Sequence, residues 1–298
     1  MNPLSGSDPS ADLPRSAPSV YGLFGHPVHH SWSPFIHGMF AKQTGQDMIY
    51  RLFESPPARF RSEVLTFLGS EGQGANITLP HKQAATELVN ELTPRAQMAD
   101  AVNTIVRRDG SLIGDNTDGA GLLTDLTSNL GLKWSAPRIL LLGAGGAARG
   151  AIEPLLSLKP VKLVIANRTV TKASKLAAEF QDLGWVSGCE FSGLPDRSFD
   201  LIVNATSASL RGEVPLIPIG VVDSGTTCYD MAYGVGDTAF VAWAKRLGAG
   251  RAEQGWGMLV EQAAEAFELW RGVRPDTAPV LQVLQARAAR VTDSPSSD

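Results

Sequence analysis

Four short polar stretches in the first half of the chain carry side chains suited to acid–base chemistry and to hydrogen bonding. They are His30-Ser31-Trp32-Ser33-Pro34, Asn76-Ile77-Thr78-Leu79-Pro80-His81-Lys82, Ala101-Val102-Asn103-Thr104 and Gly114-Asp115-Asn116-Thr117-Asp118-Gly119. The sequence predicts that Lys82 sits in the first turn of a helix opened by Pro80, where an ammonium opposes the helix dipole and gives up its proton more readily. A lysine of that kind is a candidate acid or base, and a carboxylate such as Asp118 beside it would hold the ammonium and adjust its pKa. Taken singly, each residue has a plainer reading. Ser33 and Asp118 both suit helix N-caps, and Lys82 suits an exposed lysine; Ser31 is harder to explain that way.

A second chemistry starts where the densest apolar strand, residues 139–142, runs into Gly143-Ala144-Gly145-Gly146-Ala147-Ala148. This matches G-x-G-x-x-A between a strand and a helix. Gly143 permits a tight turn, Gly145 lets the backbone approach a pyrophosphate, Ala148 allows close helix packing, and the helix end supplies N–H donors. The next strand, VKLVIA, ends in Asn167-Arg168-Thr169 with Lys172 one turn further and no acid for a ribose 2′-hydroxyl. Cations there select a 2′-phosphate, hence NADP. The plainer reading is a glycine turn that binds nothing and a solvated helix start.

These groups are positioned by alternating strand and helix, which indicates parallel sheets with helices on their faces. Strands are expected at residues 20–24, 75–78, 139–142, 161–166, 201–203 and 227–231. Helices are expected after Ser33-Pro34, with Phe35, Ile36, Met39 and Phe40 inward; after Pro80, with Ala84, Ala85, Leu88 and Leu92 inward; and over residues 258–270. Residues 1–18 and 291–298 are rich in Ser, Pro and Asp and read as disordered tails.

A length of 298 residues suits two domains, and 43% hydrophobic with 19% charged residues is globular. A net charge of -4 argues against nucleic acid as a partner. Two cysteines do not make a disulfide framework, and the five histidines, clustered early without paired Cys or carboxylate spacing, suggest no metal, which leaves a zinc alcohol dehydrogenase without ligands. His29 and His30 read as structural. No apolar run approaches the roughly 20 residues of a membrane span, and the N-terminus lacks a secretory pattern. The expectation is a cytoplasmic protein.

The run SWSP, NITLPHK, AVNT, DNTDG, GAGGAARG, NRT, NATS, YDMAY and GWGMLVEQAA resembles the shikimate dehydrogenase family, and the likeness extends over residues 20–282. The resemblance implies an α/β fold of two domains: a substrate-binding domain with a mixed sheet (residues 19–118), a Rossmann-type NADP-binding domain (residues 119–254), and C-terminal helices (residues 255–290) that return to the first domain. It implies NADPH-dependent, reversible reduction of 3-dehydroshikimate to shikimate by a monomer or homodimer. Lys82 and Asp118 would form the catalytic pair. Ser31 and Ser33, helped by Tyr233, would hold the substrate carboxylate, and Thr78, Asn103 and Gln262 the ring hydroxyls. Residues Gly143, Ala144, Gly145, Gly146 and Ala147 would take the pyrophosphate, Asn167, Arg168, Thr169 and Lys172 the 2′-phosphate end, and Thr206, Met231, Gly255 and Met258 the nicotinamide region. Trp32, Gly38 and Lys172 depart from the usual family wording. The rivals are an NAD-preferring quinate/shikimate dehydrogenase and a non-catalytic ligand sensor of the same fold.

Overall fold

Residues 17–195 and 197–292 are described by the computed structural model. They form two six-stranded sheets. The first uses β1 (Ser19–Gly25), β2 (Met48–Glu54), β3 (Gly72–Ile77), β4 (Glu91–Leu92), β5 (Thr104–Arg108) and β6 (Ser111–Asp115), in the order β2-β1-β3-β5-β6-β4. β1 pairs in parallel with both neighbours, whereas β3–β5 and β5–β6 are antiparallel, so the sheet is mixed. β1 is buried along nearly its whole length, as a central parallel strand must be.

The second sheet contains β7 (Arg138–Leu142), β8 (Lys162–Ala166), β9 (Val186–Cys189), β10 (Leu201–Asn204), β11 (Thr227–Asp230) and β12 (Arg251–Gln254). Every pair is parallel, in the order β12-β11-β10-β7-β8-β9. Counted from β7, this is the doubly wound dinucleotide order 3-2-1-4-5-6 read from the other edge. Side chains along β7 alternate between two cores: Ile139 and Leu141 join one, Leu140 and Leu142 the other.

Nine helices cover the sheets among the described residues: α1 (Ser33–Thr44), α2 (Pro57–Ser70), α3 (Pro94–Ala99), α4 (Asp118–Thr124), α5 (Gly146–Ser157), α6 (Val170–Glu179), α7 (Ala239–Arg246), α8 (Trp256–Arg271) and α9 (Ala278–Thr292). One core of the first sheet gathers Phe24, Phe60, Val64 and Ile105. Another unites Ile36 and Phe40 of α1 with Val260 and Phe267 of α8 and Val280 and Leu284 of α9. The last helices therefore return to the first sheet, as expected. No helix among the described residues is long and apolar enough to cross a membrane.

Several local expectations need correction. The N-cap of α1 is Trp32, not Ser33, which occupies the first helical position. The helix expected after Pro80 is only a 3-10 turn, Ala84–Glu87, and Leu92 belongs to β4. Asn90 donates its amide to Leu112 O of β6, so sheet pairing wins over helical periodicity there. Asp118 is likewise the first residue of α4 and Thr117 its cap. Of the expected C-terminal tail, residues 291 and 292 belong to α9. The rest of it, and residues 1–16 of the N-terminal one, lie outside the described residues.

Candidate active site

Lys82 and Asp118 face each other at the end of the first sheet, with Nζ 2.5 Å from Oδ2. Lys82 sits in a turn rather than a helix, so no helix dipole acts on it and Asp118 is the group that faces its ammonium. The turn is anchored on both sides. His81 is buried, stacks on Phe60 and places Nε2 2.6 Å from Ser55 O, while Val102 donates its amide to Lys82 O. Both members of the pair are partly open, with side chains 28% and 18% exposed, which leaves them accessible to a small molecule.

Behind the pair runs a continuous hydrogen-bond network. Asn103 Nδ2 donates to Asp118 Oδ1 at 2.8 Å and to Thr117 Oγ1 at 2.9 Å, and it lies 3.4 Å from Gln262 Oε1 on α8. Thr104 Oγ1 donates to Asn103 Oδ1, Asn76 Nδ2 donates to Thr104 Oγ1, and Tyr50 Oη donates to Asn76 Oδ1 at 2.7 Å. Asn76, Asn103 and Thr104 are buried, so these bonds avoid a desolvation cost of about 1–3 kcal/mol per unpaired group. Half-buried Thr78 follows β3 and donates its amide to Phe24 O.

The segment that leads to Asp118 is held by Arg95. Its Nε and Nη2 grip the two Asp115 oxygens, each at 2.7 Å, and Nη1 reaches Glu265 of α8. Burial alone would raise the Asp115 carboxyl, but the Arg95 fork, Thr93 and the Asn116 amide together hold it below the ordinary value.

Ser31 Oγ lies 3.1 Å from Ser33 Oγ and accepts the Ser33 amide, so the two hydroxyls form one polar spot at the start of α1. Trp32 packs edge-on against Trp256, which in turn lies 4.6 Å from the Tyr233 ring. That aromatic bridge brings Tyr233 to the same wall as the serines. Gly38 is exposed on α1 with open space around it. His29 and His30 are exposed and pack edge to face.

The residues expected to bind a dinucleotide follow the carboxyl ends of the second sheet's strands, where β7 and β10 lead to opposite sides, the usual ligand crevice of such sheets. Gly143 adopts φ +108° after β7 and lies against Ala205 and Thr206, which follow β10; a Cβ there would come 3.2 Å from Ala205 O. A Cβ on Gly145 or Gly146 would meet nothing within 4 Å, and Ala147 is exposed beside them. The backbone amides at the start of α5 thus border open space, a cradle that fits a pyrophosphate. Ala144 is half-buried in the same turn, and Ala148 is fully buried beneath it. Asn167, Arg168 and Thr169 follow β8, with Lys172 in the first turn of α6; Arg168, Thr169 and Lys172 are exposed. Met231 follows β11, and a Cβ on Gly255 would come 2.6 Å from Met231 O, so only glycine fits that approach.

α8 joins the two sets. Met258 lies toward the second sheet's core and Gln262 reaches Asn103, and the two are one helical turn, about 6 Å, apart on one face. Gly121 makes the close approach of α4 possible, because a Cβ there would meet Met258 O and the Gln262 amide at 2.8 Å.

Sequence reasoning missed His37, Tyr50, Arg95, Asp125 and Trp256. Tyr50 alternates along β2 with exposed residues and could have been found by that period; the others are legible only once their partners are known. His37 is 1% exposed, stacks on Tyr50 at 4.3 Å, and neither ring nitrogen has a hydrogen-bond partner among the described residues. Burial lowers its pKa to about 3.

A doubly wound sheet with an open glycine cradle, cations instead of an acid after its second strand, and a lysine–aspartate pair linked through Asn103 to α8 define an NADP-dependent α/β oxidoreductase. Comparison with known proteins is narrower. The profile for the shikimate dehydrogenase substrate binding domain matches residues 23–105, that for shikimate / quinate 5-dehydrogenase residues 125–211, and that for the shikimate 5'-dehydrogenase C-terminal domain residues 255–285. The shikimate dehydrogenase (NADP(+)) of Methylococcus capsulatus is 54% identical over 270 residues, 90% of this chain and 97% of its own. The crystal structure of an Ael1 enzyme from Pseudomonas putida superposes with TM-score 0.84 at 44% identity, covering 89% of this chain and 98% of that one. Shikimate 5-dehydrogenase from Thermus thermophilus, solved with NADP(H) and shikimate, gives 0.78 at 31% identity over 90% and 99%. The chain belongs to the shikimate dehydrogenase family.

Proposed function

We propose that this chain catalyses the reversible NADPH-dependent reduction of 3-dehydroshikimate to shikimate in aromatic amino acid biosynthesis. The observation that carries the reading is the Lys82–Asp118 pair, joined through Asn103 to Gln262 on the helix whose preceding turn, at Met258, abuts the second sheet. Residues 19–118 act as the substrate domain, residues 119–254 as the cofactor domain, and residues 255–290 as the returning helices.

When bound, NADPH supplies the hydride, and the protein supplies orientation, charge and exclusion of water. Ser31, Ser33 and Tyr233 orient the substrate carboxylate, while Thr78, Asn103 and Gln262 bond the ring hydroxyls. Lys82 Nζ then lies at the C3 oxygen, stabilises the developing alkoxide and donates its proton to it. Asp118 holds Nζ in place and keeps the charge of the pair balanced. In the reverse direction Lys82 takes the proton from the C3 hydroxyl.

Gly143, Ala144, Gly145, Gly146 and Ala147 border the pyrophosphate. Asn167, Arg168, Thr169 and Lys172 bond the 2′-phosphate end, and Thr206, Met231, Gly255 and Met258 line the nicotinamide. The active species is a monomer or a homodimer. A reducing, cytoplasmic location is supported by two free cysteines, one of them buried.

The test follows absorbance at 340 nm with shikimate and either NADP⁺ or NAD⁺. Reduction with NADP⁺ and little with NAD⁺ is expected. A preference for NAD⁺ or for quinate would favour the quinate-type reading, and silence of folded protein with all of them would leave a ligand sensor.

A further inference from the structure

Asp125 is a buried carboxylate that the reaction above does not use. It is 2% exposed and opens a single π turn, Asp125–Asn129, that continues α4 beyond Thr124. Such turns are rare and often accompany functional sites. Its Oδ2 accepts Tyr229 Oη of β11 at 2.6 Å and the Met258 amide of α8 at 3.1 Å, and its Oδ1 accepts Asn129 Nδ2 at 3.1 Å. A Cβ on Gly257 would come 1.8 Å from Oδ1, so the carboxylate is wedged against the first turn of α8.

That placement answers a local need. Gly255 is the N-cap of α8 and has no side chain with which to accept one of the free amides of the first turn. Asp125 accepts the Met258 amide instead, from another helix, and puts a negative group at the positive helix end. Burial raises its carboxyl. A stabilising contact alone would be made more cheaply by an apolar side chain than by a buried carboxylate with no cation among its hydrogen-bond partners.

The elements that meet at Asp125 are the ones that carry the reaction. α4 begins at Asp118, β11 leads to Met231, and α8 follows Gly255 and bears Met258 and Gln262. We propose that Asp125 is a positioning residue: by capping α8 from α4 it fixes Gly255–Met258 relative to Asp118, and so the approach of the nicotinamide to the substrate carbon. The proposal rests on the nicotinamide assignment made above.

The test compares Asp125→Ala with Asp125→Asn, which keeps the shape and an acceptor oxygen for the Met258 amide. Two readouts are needed: hydrogen exchange of the segment 255–262 in protein without cofactor, and kcat, KM and the isotope effect with 4-deuterated NADPH. In the alanine variant we expect faster exchange in that segment, kcat down about 10- to 100-fold, a larger isotope effect and substrate KM within a few-fold. The asparagine variant should restore most of each. Should the alanine variant not fold, Asp125→Ser, whose oxygen is bonded directly to Cβ and so sits one bond short of the carboxylate position while leaving room for a water, replaces it.

A lowered melting temperature with kcat and isotope effect unchanged would overturn the proposal, leaving Asp125 a stabilising cap. Unchanged exchange at 255–262 would overturn it as well. Wild-type protein inert towards shikimate and NADP⁺ would instead overturn the reading of the reaction, a failure seen before any variant is made.

Discussion

Lys82 Nζ meets Asp118 Oδ2 at 2.5 Å although one residue comes from a turn after β3 and the other opens α4. The pair is closed on its far side by Asn103, which donates to the second Asp118 oxygen, so Asp118 cannot swing away without breaking two bonds. Removing either member should therefore act on the chemical step. Lys82→Ala and Lys82→Met are expected to lower kcat by about 10²- to 10⁴-fold with little change in substrate KM. Asp118→Asn, which keeps the shape and removes the charge, should also lower kcat. Steady-state rates at 340 nm decide this; a Lys82→Ala enzyme with near-normal kcat would end its role as the acid.

Cofactor choice should lie in the exposed cations after β8. Arg168→Ala is expected to raise KM for NADP⁺ by about 10- to 100-fold, the size of a lost charge-assisted contact, and to leave KM for NAD⁺ nearly unchanged. Lys172→Ala should act in the same direction with a smaller effect, because lysine lacks the bidentate fork. Parallel titrations with both dinucleotides read the ratio; equal losses for the two would place Arg168 elsewhere.

His37 should make the fold sensitive to acid. With its pKa lowered to about 3 in the folded protein against the ordinary 6.5, the unfolded chain takes up the proton first. Its contribution is constant above about pH 6.5, and stability is lost as pH falls from there towards about 3. Each unit within that window costs about 1.4 kcal/mol. Urea titrations at pH 7.5 and 5.5 should show a loss in wild-type protein that is about 1 kcal/mol smaller in His37→Gln. Identical losses in both would show that the imidazole is not the group responsible.

Gly119 should couple stability to catalysis. A Cβ there would come 2.5 Å from Pro154 Cγ and 2.6 Å from Gly150 O, so Gly119→Ala must push α4 away from α5. A loss of about 1–3 kcal/mol is expected from such overpacking. Because Asp118 is the adjacent residue, kcat should fall together with the melting temperature, and a stable, fully active variant would show that the two helices have slack.

Much of the second sheet was legible in the sequence, because each strand of a buried parallel sheet is a short apolar run and the glycine turn has one structural meaning at that point. The exceptions, β9 and β12, are edge strands with half-buried residues such as Ser187 and Glu253 and carry no such run. In the first sheet β2, β4, β5 and β6 escaped notice, and the helix expected after Pro80 is absent. Ala84, Ala85 and Leu88 recur at helical spacing, yet the backbone from Asn90 to Leu92 is taken up by β6. At the site, the residue types singled out Lys82 and Asp118, and the two do meet, but the helix dipole expected to act on Lys82 is missing, since no helix begins there. Arg95 and Asp125 could not be read at all: a charge has meaning only beside its partner, and theirs lie on other elements, such as Glu265 for one and Tyr229 for the other.

The helical layer on the first sheet draws Ile36 and Phe40 from near the start of the chain and Val260, Phe267, Val280 and Leu284 from near its end. On the ribosome these arrive at opposite ends of synthesis, while the strands of the second sheet, from β7 to β12, emerge together in between. The half that emerges first is thus the half that finishes last, its α1 face uncovered until α8 and α9 appear. Domains usually complete themselves from the N-terminus onward; here that order is reversed, and a nascent chain cut short before α8 keeps an open apolar wall.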